Sequence, residues 1–177
     1  PQALNARSRA RAGQACAGPR SCGSTHVNNL DVVNMLLIDR TRITQAITTG
    51  AAWELWAQVE LIVLLRSSGI NAAREVPYPA PYANLSLDII AQDAFGQYAI
   101  ELKVESATNA GAAILAAAQQ DMLKIQHYIL AGAGARWVVA VAYSAVARNA
   151  LAGFAAVAVN NAIYHEADSI GVLVATR

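Results

Sequence analysis

Two apolar stretches that carry ionised side chains constrain this chain more than any other feature. The first reads Leu87-Asp88-Ile89-Ile90-Ala91 and the second Tyr98-Ala99-Ile100-Glu101-Leu102-Lys103, with Gln92-Asp93-Ala94-Phe95-Gly96 between them. Short apolar runs separated by a Gly-containing turn predict a hairpin. An ionised group in such a strand is costly unless it is paired or holds a metal. Three of them on adjacent strands therefore mark a candidate site. Alternate residues of a strand share a face. Glu101, Lys103 and Glu105 then point one way, while Ile100, Leu102 and Val104 point into the core. Asp88 can approach Glu101 across the pair. Glu105 could extend the acidic face, but it is expected instead at the solvent end of its strand.

The flanking patterns predict the elements around this hairpin. From about Asn28 the apolar spacing is helical, with Asn29 or Asp31 as cap and Val32, Val33, Leu36, Leu37 and Ile43 as the apolar positions, up to a break at Thr48-Thr49-Gly50. A second helix is expected from Ala51 to Ser67, ending near Gly69. Strands follow at 74–78, 86–91 and 97–105, with Pro77 marking an edge or a strand end. A long helix is expected over 112–131. Trp137 to Tyr143 reads as a buried strand, 146–162 as an Ala-rich helix and 170–175 as a last strand. This order predicts a mixed α/β fold, with helices flanking a central mixed sheet. The helix between the third and fourth strands is long enough to make those two parallel.

The 177 residues suffice for one domain, and 55% hydrophobic against 14% charged residues excludes disorder over most of the chain. A net charge of +1 gives no global field for a polyanion. Arg7, Arg9, Arg11 and Arg20 nevertheless cluster in residues 1–26, which read either as a poorly ordered basic leader or as an arm contacting nucleic acid. Residues 27–177 form the expected domain. Cys16 and Cys22 either form a local disulfide or remain free thiols, and without a histidine pair they make a poor zinc site. The chain begins at Pro1, which reads as a fragment or processed product. No apolar run is long and clean enough to span a bilayer, and no secretory signal is visible. The apolar surplus, including the Ala-rich helix, reads as a homodimer or partner interface or, equally, as packing on the sheet.

Two carboxylates can hold a hard cation such as Mg²⁺ or Mn²⁺, which keeps several waters and takes only one or two carboxylates. A lysine beside them can help deprotonate a water or stabilise charge on a phosphate. The alternative is a structural ion-pair cluster. Asp88 followed by Glu101-Leu102-Lys103, within a helix, three-stranded meander, helix and strand, resembles the PD-(D/E)xK nuclease superfamily, the restriction-endonuclease-like fold, over about residues 50–145. Leu87 stands where the motif has proline. The resemblance implies Asp88 and Glu101 as metal ligands and Lys103 as the catalytic lysine. It also implies a glutamate from the preceding helix, for which Glu60 and Glu54 compete. Glu60 falls between Trp53, Trp56 and Leu64 on the helical wheel, which favours it slightly.

Gln120, Lys124 and Tyr128 are spaced to share a helix face, and by the resemblance they are candidate nucleic-acid contacts. A solvated stripe explains them as well. The implied activity is metal-dependent hydrolysis of DNA or RNA. The resemblance extends to toxin domains delivered into a target cell's cytoplasm, which have a cognate immunity protein. The alternatives are a cytoplasmic restriction- or repair-type endonuclease and an inert nucleic-acid-binding module of the same fold.

Overall fold

The computed structural model describes residues 26–50 and 53–177. Arg7, Arg9, Arg11, Arg20, Cys16 and Cys22 lie outside the described residues, as does the predicted helix start at Ala51. The described chain forms α1 (Asn29–Ile38), α2 (Arg40–Thr48), α3 (Trp53–Ser67), β1 (Asn71–Pro77), β2 (Ser86–Gln92), β3 (Gln97–Val104), α4 (Ala113–Lys124), β4 (Gly134–Ala142), α5 (Ala145–Ala155), β5 (Ala162–Ala167) and β6 (Ile170–Thr176). The fold is mixed α/β, with the strands in one sheet ordered β1-β2-β3-β4-β6-β5. The pairs β1–β2 and β2–β3 are antiparallel, and β3–β4 is parallel across the α4 crossover, as expected. β1 is an edge strand and ends at Pro77, where a missing N–H costs no ladder bond.

Both faces of the sheet are covered. Trp137, Val139 and Val141 of β4 join a core with residues of α1, α2 and α3, while Val138, Ala140 and Ala142 join a second core with residues of α4 and α5. Two-sided burial is why β4 reads as an unbroken apolar run rather than an alternating one. On β3, Ile100, Leu102 and Val104 enter the α1–α3 core and Ala99 the other, so Glu101 and Lys103 lie on the α4–α5 side. Each fully buried Val, Leu or Ile of this set contributes roughly 1.5–3 kcal/mol relative to exposure.

Several boundaries differ from the sequence reading. The first predicted helix is two helices, parted at Asp39, and its cap is Asn28 rather than Asn29 or Asp31. The Asn28 side chain accepts from the Leu30 and Asp31 N–H groups, and the Asp31 side chain accepts from the Asn28 N–H, a reciprocal capping box. α3 ends near Gly69 as expected. There the Gly69 N–H donates to the Arg66 carbonyl and the Ile70 N–H to the Leu65 carbonyl, and Gly69 supplies the positive φ of 80°. α4 stops at Lys124 and continues only as a 3-10 turn over Ile125–His127, so Tyr128 is extended backbone rather than helix. The predicted helix over 146–162 ends at Ala155, and β5 follows where no strand was expected.

Candidate functional site

The sheet opens around Asp88. Pairing of β1 with β2 runs through Arg74–Ile89 and Val76–Leu87 but skips Glu75 and Asp88, and Glu75 has a φ of 53°. Pairing of β2 with β3 ends at Ile89–Ile100, one step before Asp88 would meet Glu101. Leu87 packs in the α4–α5 core and Ile89 in the α1–α3 core, so the alternation of β2 slips by one at Asp88. Such a slip bends a strand and re-aims a side chain. Asp88 Oδ2 accepts from the Leu102 N–H at 2.8 Å, satisfying a donor that β2 leaves unpaired as it departs. Asp88 is half-buried, and its other oxygen takes no hydrogen bond from the described residues.

Glu101 is fully buried. Its Oε1 accepts from the Tyr78 hydroxyl at 2.6 Å and its Oε2 from Lys124 Nζ at 2.8 Å. Burial pushes its carboxyl pKa up to about 7, and the charge of Asp88 adds to the rise, which Lys124 and Tyr78 only partly offset. Tyr78 is raised as well, by burial and by the Glu101 carboxylate it serves. Tyr78 is wedged edge-on against Tyr128, with ring centroids 5.2 Å apart, and Lys124 Nζ lies 5.8 Å from its ring centre.

Lys103 Nζ lies 3.2 Å from Glu54 Oε1 and 3.4 Å from Asp121 Oδ2. Burial lowers the ammonium pKa, but Asp121, Glu54 and Asp88 outweigh it and hold the group above its ordinary value. Asp121, on α4, is the residue the sequence reading missed. It is buried, and its Oδ2 has no hydrogen-bond partner beyond the ion-pair distance to Lys103. Burial raises its pKa, with Lys103 and Lys124 opposing. Its signal was present in the sequence. Asp121 adjoins Met122 and follows the Ile114, Ala118 stripe by three residues, which puts a carboxylate on the apolar face of α4.

The structure separates the two glutamates of α3. Glu54, in the first turn, reaches Lys103, beside the hydrogen bond from Trp53 Nε1 to the Glu105 carbonyl that ties α3 to the end of β3. Glu60, slightly favoured by the sequence, is buried as expected but is held by Arg42 of α2, with Nη1 to Oε1 at 2.6 Å and Nη2 to Oε2 at 3.0 Å. Burial nonetheless raises its pKa, Arg42 opposing and Asp39 adding to the rise. The apolar wheel position located a buried carboxylate but not its partner.

Of the expected face of Gln120, Lys124 and Tyr128, the last two both approach Tyr78 and Gln120 stands apart from them. Lys124 meets Glu101, Tyr128 is buried against Tyr78, and Gln120 is exposed without a hydrogen bond to the described residues. Glu105 is also corrected. It is buried rather than at a solvent end, and it accepts from the N–H groups of Gly111, Tyr143 and Ser144 and from Ser144 Oγ. These donors outweigh burial and hold its pKa below the ordinary carboxylate range. It fixes the loops at the ends of β3 and β4. His127 is exposed and stacks on Tyr82 with centroids 4.1 Å apart. Among the described residues no helix is long and apolar enough to cross a membrane. No family model matches the chain, and the searches of curated proteins and of solved structures return no significant match.

Proposed function

We propose that the protein is a metal-dependent nuclease that hydrolyses phosphodiester bonds of DNA or RNA. The observation carrying this reading is the convergence of Asp88, Glu101 and Lys103 where β2 leaves β3, with Glu54 and Asp121 completing the charged cluster. The β1-β2-β3 meander, the α4 crossover and the parallel β4 follow the order implied by the PD-(D/E)xK resemblance, which supports it.

The donor set fits a hard divalent cation. Glu54, Asp88, Glu101 and Asp121 oppose Lys103 and Lys124, an excess of two negative charges when all are ionised. Asp88 keeps one oxygen that takes no hydrogen bond from the described residues, whereas Asp121 Oδ2 faces the Lys103 ammonium at 3.4 Å. Among the described residues no three acidic, histidine or cysteine side chains converge into a complete cage. An ion such as Mg²⁺ or Mn²⁺ takes only one or two carboxylates and keeps several waters, so the proposal asks no more of the site than Asp88 and Glu101. Held by Asp88 and Glu101, it would supply a Lewis acid for the phosphate and acidify an attacking water.

The chain's own residues divide the remaining work. The carboxylates around Lys103 keep it protonated through neutral pH, so it acts as an ammonium that stabilises charge on the attacked phosphate rather than as a proton acceptor. Asp121 and Glu54 aim it from two helices, α4 and α3. The test is cleavage of plasmid DNA and of total tRNA with Mg²⁺ or with EDTA. Wild type is expected to cut one of them only with metal. Asp88→Ala and Lys103→Ala are each expected to lose at least about 100-fold in rate, the scale of removing one preorganised charge-stabilising group. Metal-independent cutting, or full activity in either variant, would exclude this assignment.

A further inference from the structure

We propose that Lys124 is the resident counter-ion of Glu101, that it must leave this carboxylate for a divalent cation to load, and that it thereby sets the metal affinity of the site. This rests on the nuclease reading above. Both oxygens of Glu101 are already engaged, Oε1 by the Tyr78 hydroxyl at 2.6 Å and Oε2 by Lys124 Nζ at 2.8 Å. A fully buried carboxylate beside a second one needs a compensating positive charge, and Lys124 is the ammonium that touches it. A carboxylate oxygen has lone pairs enough for two partners. An ammonium and a divalent cation on the same oxygen, however, repel each other at close range in a medium less polar than water.

Of the two partners, Lys124 is the one able to move. Tyr78 donates a neutral hydroxyl, repels no cation and is locked between Glu101 and Tyr128. Lys124 stands at the last residue of α4 with its side chain 28% exposed, so its flexible stem can swing to solvent. Lys103 is in the opposite situation. It is held by Glu54 and Asp121 and hydrogen-bonds to neither expected metal ligand, so loading the site leaves its partners intact. The site thus has one fixed and one exchangeable ammonium. Once released, Lys124 becomes a second positive charge available to the substrate phosphate.

Mn²⁺ affinity measured by calorimetry tests this on wild type, Lys124→Met, Lys124→Gln, Lys124→Arg and Glu101→Gln. Both neutral variants are expected to bind Mn²⁺ at least tenfold more tightly than wild type, and Lys124→Arg within about twofold of it. The neutral variants are also expected to cut more slowly at saturating metal. A residue with only a structural role would not move affinity and turnover in opposite directions. Unchanged or weaker Mn²⁺ binding in both neutral variants overturns the exchange, and the nuclease reading survives if wild-type binding is lost in Glu101→Gln. Absence of Mn²⁺ binding by every folded protein, wild type included, overturns the metal-dependent reading and the exchange with it.

Discussion

Glu101 and Glu105 lie four residues apart on and just beyond one strand, both buried, yet their surroundings give them opposite characters. Burial and the neighbouring Asp88 push the Glu101 pKa up to about 7, even with Lys124 and Tyr78 bound to it. Glu105 takes four hydrogen bonds from the backbone and hydroxyl donors of two loops and is held below the ordinary range. Glu105→Gln would place an amide among those donors and is expected to cost on the order of 2–3 kcal/mol, the scale of hydrogen bonds to a charged group. Urea denaturation at neutral pH measures this. Because the folded pKa is depressed, the unfolded chain binds the extra proton, so stability rises with pH across that window. The Glu105 contribution is full above the ordinary carboxylate range and lost as pH falls through the depressed value. The acid limb of the wild-type stability profile should therefore be steeper than that of Glu105→Gln. Sequence alternation put Glu101, Lys103 and Glu105 on one face but could not separate the two glutamates, because three of the four hydrogen bonds to Glu105 come from 38 and 39 residues away.

The strands were more legible than the boundaries between elements. β2, β3, β4 and β6 carry apolar runs bounded by turn residues, and their two-sided burial enforces that pattern whatever the neighbours. β5 escaped detection because its apolar run is only Ala162, Ile163 and Tyr164, each partly buried, before the exposed His165 and Glu166, as suits an edge strand. Ala-rich sequence overextended α5, since alanine favours helix without marking its end. Glycine gives the sharpest element-scale contrast. A Cβ on Gly134 would lie 1.7 Å from the Gln97 carbonyl oxygen, where β4 begins its pairing with β3. Gly153, exposed within α5, has nothing within 4 Å of the corresponding position. Gly134→Ala is therefore expected to lower stability by about 3 kcal/mol or more, through backbone displacement and a φ of 147° that L residues avoid. Gly153→Ala should instead raise stability by roughly 0.5–1 kcal/mol through helix propensity alone. Thermal melts of the two variants beside wild type give the comparison, and equal shifts would refute it.

At the scale of the whole molecule the question is where charge remains for a polyanion. Each lysine and arginine among the described residues has an internal partner. Arg40 meets Asp168, Arg42 meets Glu60 and Arg74 meets Glu75, while Lys103, Lys124 and Arg148 also hold carboxylates. Arg66, Arg136 and Arg177 donate to the carbonyls of Ala72, Tyr128 and Asn160. The other four cations of the chain are Arg7, Arg9, Arg11 and Arg20, outside the described residues. Exposed ion pairs such as Arg40–Asp168 are weak enough for a phosphate to compete, but each exchange sets one internal contact against the new one. Of the two readings of the basic leader, the contacting arm then carries a measurable consequence. Replacing Arg7, Arg9, Arg11 and Arg20 together by Gln should weaken binding to a non-cleaved duplex and reduce the steepness of its salt dependence, by a log-log slope of up to about 3.6 if all four neutralise phosphates. Fluorescence anisotropy across a salt series, with EDTA to prevent cutting, reads both quantities. The same loss in affinity with an unchanged slope would point to altered folding instead. An unchanged affinity and slope would exclude the contacting-arm reading of the leader.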